Sequence, residues 1–296
     1  MHPYLFHIPL PWGGRFPVAS YGTMILVGYL LCLWIGQKRG RRMGLDPLAM
    51  FDLFIVALFA GIVGARLFYV IEDWGTFAEH PWRIIRLDQG GLSFYGGLMA
   101  GLAGLLISIW KKGMPLRPTL DALVSVVPLG HAFGRMGCFL NGCCFGKVSD
   151  AWIGLRFPRV VNEAREIIGC PVFTHHLEQN YVTAADQWSL PVHPTQLYAV
   201  AYNLAIFALL SYLLWRRWRA GEIAWLYAIF YGAARYVNEF FRANPPIPQL
   251  GGMTVFQAIS FALVIFGFTM FLRGRLRPYE PLPEPWRPPP ERRGRS

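Results

Sequence analysis

The chain has 296 residues, 54% of them hydrophobic types and only 15% charged, against about 25% charged in an ordinary soluble domain. That leaves too little polar surface to cover a soluble core of this size, and the apolar content excludes disorder for most of the chain. The net charge of +11 invites a nucleic-acid reading, which weakens once the basic residues are located.

In chain order, residues 1–17 carry Pro3, Pro9, Pro11, Pro17 and Trp12 and read as an external arm lying at the membrane interface. Seven apolar runs follow, at about 18–36, 50–71, 93–110, 119–137, 195–215, 223–241 and 253–272. Each approaches the roughly 20 residues that a helix needs to cross a hydrocarbon core of about 30 Å. None alternates as a strand would, and only helices or closed barrels satisfy the backbone in lipid. The expectation is an all-α integral membrane protein with seven transmembrane helices over residues 18–277. The fourth run is interrupted by Asp121, Pro128, His131 and Arg135, the second holds Arg66, and the sixth holds Arg235 and Glu239. Between spans four and five, residues 138–192 form a small extracytoplasmic insert with a strand-like run from Trp152 to Phe157. The proline- and arginine-rich tail, 278–296, reads as disordered. The N-terminus has no basic leader, and the first run is followed by a basic cluster, as in a span that stays in place.

Basic loop residues orient such a chain. Lys38, Arg39, Arg41 and Arg42 follow span one; Lys111, Lys112 and Arg117 follow span three; Arg216, Arg217 and Arg219 follow span five; seven arginines from Arg273 onward follow span seven. Together these are 17 of the 28 basic residues, against 7 on the opposite side. The N-terminus is therefore expected outside and the C-terminus in the cytoplasm. Topology then accounts for the positive charge, and nucleic acid is not needed as a partner.

With that orientation the polar residues of the spans gather in one leaflet. Tyr231, Arg235, Glu239 and Arg242 are spaced i, i+4, i+8 and i+11 on one helix face. Arg135 lies near the outer end of span four, Arg66 in the outer half of span two, Tyr21 and Tyr95 at the outer starts of spans one and three, and His193 just before span five. An arginine in hydrocarbon costs at least about 2.5–3.5 kcal/mol and defaults to a functional reading. The bland alternatives are that Arg235 and Glu239 neutralise each other, that Arg66 snorkels, and that Arg242 is an interfacial anchor. Several guanidinium forks in one leaflet suit a phosphate. A transport path would instead need polar groups at the midplane or in both leaflets, and the inner halves are nearly bare.

Of five cysteines, Cys32 sits alone in a span as a small apolar residue. Cys138, Cys143, Cys144 and Cys170 lie at or beyond a helix end, where a disulfide set, a zinc site and a catalytic thiol are all open. Zinc is disfavoured by the lack of a Cys-x2-Cys pair, with His175 and His176 read as surface residues. No metal and no cofactor are expected.

Four segments together resemble the phosphatidylglycerol–prolipoprotein diacylglyceryl transferase family over about residues 15–272: Gly90-Gly91-Leu92-Ser93-Phe94-Tyr95-Gly96-Gly97, Gly134-Arg135-Met136-Gly137-Cys138-Phe139-Leu140-Asn141-Gly142, His193-Pro194-Thr195-Gln196-Leu197-Tyr198, and Tyr231 through Arg242. The resemblance implies transfer of a diacylglyceryl group from phosphatidylglycerol to the lipobox cysteine of a prolipoprotein, in the bacterial inner membrane, by a monomer. Its partners would be that lipid, prolipoprotein signal peptides and the surrounding membrane lipids. It implies that Arg135 binds the lipid headgroup, that Arg235 is a second essential arginine, and that Tyr21, Asn141, Gly146, Tyr231 and Glu239 occupy positions of importance. The chain departs from many members in carrying Tyr95 where they have a histidine proposed as base, and Cys138 and Cys143 where they have Asn and Glu. A tyrosine, with its ordinary pKa near 10, is a poor base at neutral pH.

Overall fold

The computed structural model describes residues 4–9, 11, 15–86, 90–161, 167–216, 219–243, 249–276 and 284. The expected disordered tail lies outside them apart from Glu284, as do parts of the N-terminal arm. In chain order the elements are β1 (Tyr4–Pro9), β2 (Arg15–Ala19), α1 (Ser20–Arg42), α2 (Pro47–Glu72), α3 (Trp74–Glu79), a 3-10 turn (Pro81–Ile85), α4 (Phe94–Lys111), α5 (Leu116–Val124), α6 (Val127–Asn141), β3 (Val160–Val161), β4 (Ile167–Gly169), α7 (Pro171–Glu178), α8 (Thr195–Trp215), α9 (Glu222–Glu239), β5 (Gln249–Leu250), β6 (Met253–Thr254) and α10 (Val255–Arg275).

Helices dominate, and six stretches are long and apolar enough to cross a membrane: α1, α2, α4, α5 with α6 taken together, α8 and α10. Phe59, Val63, Leu67 and Ile71 on α2, and Phe261, Ile265 and Phe268 on α10, are exposed. A soluble protein does not show apolar surface on that scale, whereas lipid covers it. α9 is 18 residues long but carries Glu222, Arg235 and Glu239, all buried. The chain is not purely helical: β1–β2, β3–β4 and β5–β6 are three antiparallel hairpins. The first of them gives the N-terminal arm a regular structure, with His7 opposite Pro17. The Trp152–Phe157 run is not a strand; only Leu155 bridges Val192 there. The single fourth span expected from the sequence is two helices. Pro128 supplies no backbone N–H and crowds the carbonyl four residues back, so the helix stops at Val124 and restarts at Val127.

Two units make up the chain. One comprises residues 1–32 and 124–280, the other 33–123 and 281–296. In the second, α2 starts from an Asp46 cap that accepts from the Leu48 and Ala49 amides at 3.1 and 3.4 Å, with Pro47 in the first turn. α2 packs on α4 through glycines. A Cβ at Gly104 would lie 2.9 Å from the Ala60 Cβ, one at Gly97 3.2 Å from the Gly61 carbonyl, and one at Gly64 inside the Ala100 methyl. Small residues let two helix backbones approach where lipid supplies no hydrophobic drive. Gly64→Leu is expected to force the pair apart at a cost of about 1–3 kcal/mol, read as a fall in thermal unfolding temperature in detergent; an unchanged temperature would contradict this packing.

In the first unit, α8, α9 and α10 surround a cluster of Ile206, Leu210, Ile223 and Leu226. α10 opens with a capping box between Thr254 and Gln257. The segment between α6 and α8 has a separate apolar core of Phe157, Cys170, Val172, Phe173, Val182 and Val192, with Phe139 and Phe145 packed against it. It is a small folded cap at the C-terminal end of α6.

Candidate active site

Three helix ends meet in the first unit: the C-terminus of α6, the N-terminus of α8 and the C-terminus of α9. Backbone bonds lace them together. The Gly146 amide donates to the His193 carbonyl at 3.0 Å, and the Lys147 amide donates to the Phe241 carbonyl at 2.8 Å. Gly146 and Arg242 bridge as a strand pair. A Cβ at Gly146 would lie 2.6 Å from both the His193 and the Phe241 carbonyl oxygens, so only glycine lets the two segments close there. The His193 ring lies edge-on to Phe241, centroids 5.1 Å apart, and its Nδ1 is 3.1 Å from the Tyr198 hydroxyl.

α9 presents a ladder on one face. Tyr227 and Tyr231 stack at 5.4 Å, and Arg235 is paired with Glu239 one turn on. Both partners are buried, and the Arg235 guanidinium also sits 5.5 Å from the Phe256 ring. α6 joins this ladder through His131, whose Nδ1 lies 3.1 Å from the Tyr227 hydroxyl and whose ring lies 5.1 Å from Tyr231. Arg135, one turn beyond His131, is in electrostatic reach of Tyr202, Tyr231, Cys138 and Cys144. Arg242 feels both Arg135 and Arg235; burial first, and then Arg235, hold its pKa below the ordinary arginine value. Its Nε is buried with no partner among the described residues. Arg242, just beyond α9, thus lies in electrostatic reach of Arg135 on α6 and of Arg235 and Glu239 on α9. Such an arrangement is electrostatically suited to an anion. On the same side, Tyr21 of α1 lies against α6: a Cβ at Gly137 would sit 3.0 Å from the Tyr21 ring.

The turn after α6 carries the thiols. Gly142 ends the helix in the left-handed region, and Cys144 is left-handed too, at φ 58°. The fold back brings the sulfurs of Cys138, Cys143 and Cys144 within 4.8 Å of one another. Hydrogen bonds from the Cys138 and Cys143 thiols, and then the charges of Arg135 and Arg242, hold the Cys144 thiol well below its ordinary range. Gln196 donates to the Cys143 carbonyl at 2.8 Å and the Thr195 hydroxyl to the Cys144 carbonyl at 2.9 Å. Asn141, the last residue of α6, bears on the Cys143 thiol through its side chain.

The family whose profile matches residues 5–273 is described as Prolipoprotein diacylglyceryl transferase. The chain belongs to this family. Among proteins named phosphatidylglycerol--prolipoprotein diacylglyceryl transferase, that of Clostridium tetani is 30% identical over 94% of this chain and 99% of its own length. That of Symbiobacterium thermophilum is 28% identical over 90% and 92%, and one from Bacillus cereus is 30% identical over 88% of both chains. This member of the prolipoprotein diacylglyceryl transferase family therefore matches these relatives over 88–99% of their own length.

Of the residues singled out from the sequence, the first unit brings together Arg135, Tyr231, Arg235, Glu239, Arg242, Asn141, Gly146 and His193. Arg66 and Tyr95 belong to the second unit. Arg66 is buried, and its five N–H groups go to the carbonyls of Arg83, Ile84, Arg86, Gly90 and Gly91 at 2.5–3.0 Å. Gly90 and Gly91, at φ 78° and 77°, turn those carbonyls inward. The guanidinium is saturated by its own loop, which differs from the headgroup contact that the sequence suggested. Tyr95 is half exposed and touches the Phe94 ring edge; its hydroxyl has no hydrogen-bond partner among the described residues. His176 is not on the surface but buried against Phe145 and Tyr181. Sequence reading passed over Tyr202 and Tyr227. Tyr227 was detectable, because it continues the four-residue spacing of Tyr231, Arg235 and Glu239 one turn back. Tyr202 gave no signal beyond being a tyrosine in an apolar run.

Proposed function

We propose that this protein transfers the diacylglyceryl group of phosphatidylglycerol to the lipobox cysteine thiol of bacterial prolipoproteins, releasing glycerol phosphate, with Arg135, Arg235 and Arg242 around the phosphate. Family membership supplies the reaction; the buried Arg235–Glu239 pair, with Arg242 in electrostatic reach of both Arg235 and Arg135, is the observation that carries the residue assignment. The bond broken joins a glycerol carbon to a phosphate oxygen. As it opens, the phosphate gains a second negative charge, and fixed guanidinium donors in a water-poor site stabilise it by about 3 kcal/mol per donor. Glu239 aims Arg235 through their pair. Tyr21, Tyr231, Asn141 and His193 line the approach, and Gly146 lets the helix ends close.

The reading includes α9 as a seventh span beside the six apolar stretches, its charges being paired or facing the site. It places the N-terminus and the cap outside and the basic loops in the cytoplasm of the bacterial inner membrane, following the 17-to-7 division of basic residues. A substrate tethered by its own signal helix would meet the arginines at the depth of its cysteine. One unit of one chain supplies the arginine cluster, so a monomer suffices for it.

The experiment is direct. Purified protein in nanodiscs with phosphatidylglycerol and a lipobox peptide should yield a peptide heavier by one diacylglyceryl group in mass spectrometry. No mass gain would refute the reading. Tyr95→Phe is expected to keep at least half of the wild-type rate in that assay, because an unpaired phenol is a poor base; total loss would give the hydroxyl a chemical role.

A further inference from the structure

We propose that Cys138, Cys143 and Cys144 form a three-thiolate zinc site whose fourth position takes the sulfur of the incoming cysteine, a deepening of the transferase reading on which it rests. Two sulfurs bound to one tetrahedral zinc at about 2.3 Å lie about 3.8 Å apart. The three thiols already stand within 4.8 Å of one another without any ion, so side-chain rotation of a fraction of that distance completes the shell. The turn is built for this convergence. Cys144 adopts a left-handed backbone at φ 58°, which a non-glycine residue holds only where its surroundings enforce it. Those surroundings are the Gln196 and Thr195 side chains on the carbonyls of Cys143 and Cys144, the kind of outer support that fixes ligand orientation at metal centres.

Charge fits as well. Three thiolates and one divalent ion leave a net charge of −1, and Arg135 and Arg242 both lie in electrostatic reach of Cys144. Thiolate ligands select zinc, copper(I) or iron–sulfur clusters over magnesium or calcium. Zinc is favoured because three protein ligands with one position open is its catalytic arrangement. Cys138 is buried while Cys143 and Cys144 are half-buried, so the cluster is closed on one side and accessible on the other.

The chemistry balances. The entering cysteine thiol binds zinc as thiolate. Its sulfur lone pair forms the bond to the glycerol carbon, the carbon–oxygen bond electrons pass to the phosphate oxygen, and the thiol's proton leaves with the released glycerol phosphate. A free thiol of pKa near 8.5 is about 3% ionised at pH 7, so full ionisation on the metal is worth about thirtyfold in rate.

The test uses the whole protein in nanodiscs. Metal analysis is expected to find one zinc per chain in the wild type and in Cys32→Ala, and none in Cys143→Ser or Cys144→Ser. Cobalt(II) loaded in place of zinc should show thiolate-to-cobalt charge-transfer absorption, increased when a lipobox peptide is added and unchanged with a peptide whose cysteine is replaced by serine. Stripping zinc from the wild type with a chelator should slow transfer about thirtyfold, and zinc alone should restore it, which keeps the test valid even where a serine variant fails to fold. The proposal is overturned by a disulfide among the three cysteines, by copper in place of zinc, by an unchanged cobalt spectrum with peptide, or by full activity after stripping. Full metal-independent transfer would remove the zinc site while sparing the transferase reading; metal binding with no transfer at all would do the reverse.

Discussion

Arg135→Ala should reduce diacylglyceryl transfer by at least about a hundredfold while leaving the protein folded. Arg135 lies beside Tyr202 and Tyr231 and in reach of Arg242, where the departing phosphate would gain its charge. Loss of one preorganised donor at such a point costs about 10²–10³ in turnover. Arg135→Lys keeps the charge but not the planar fork, and is expected to recover only part of the rate. The measurement is single-turnover transfer to a lipobox peptide, with thermal unfolding of each variant alongside. A rate within threefold of wild type for the alanine variant would remove Arg135 from the chemistry.

The second large effect concerns the Arg235–Glu239 pair, where structural and chemical roles can be separated. The Arg235 side chain is 10% exposed and that of Glu239 1%. Removing one member of a buried pair strands the other charge, at about 3–5 kcal/mol, so Glu239→Ala should lose both stability and activity. Replacing both residues by apolar ones of similar size, Arg235→Met with Glu239→Leu, removes the stranded charge and should bring the unfolding temperature back near wild type. Activity should stay far below wild type, because the Arg235 donor to the phosphate is gone and Arg242 alone does not replace it. An active double variant would make the pair purely structural.

Much of this was legible in the chain because lipid is an unforgiving solvent. Arginines cannot rest there by accident, so Arg135, Arg235 and Arg242 announced themselves, and the four-residue spacing on α9 put Tyr231, Arg235 and Glu239 on one face before any coordinates. Other features depend on where carbonyls point, which side-chain identity does not encode. Arg66 looked like its fellow arginines, and only the backbone carbonyls of Arg83, Ile84, Arg86, Gly90 and Gly91 show that its hydrogen bonds are spent at home. The thiol cluster was hidden for a related reason: the Cys138-x4-Cys143-Cys144 spacing matches no familiar metal motif, and the left-handed turn at Gly142 and Cys144 closes it. The break before α6 followed from Pro128, whose effect on a helix is local, yet a hydropathy scan averages across it.

The loop that saturates Arg66 has a consequence for biogenesis. A nascent α2 leaving the translocon would carry a naked guanidinium into the bilayer, since every carbonyl that satisfies it lies 17–25 residues further along the chain. Stable partitioning must wait until those residues have been synthesised and can fold back onto the guanidinium. α2, its loop and α4 should therefore enter the membrane as one hairpin, and a ribosome stalled before Gly91 should hold α2 in a state that alkali or urea still extracts.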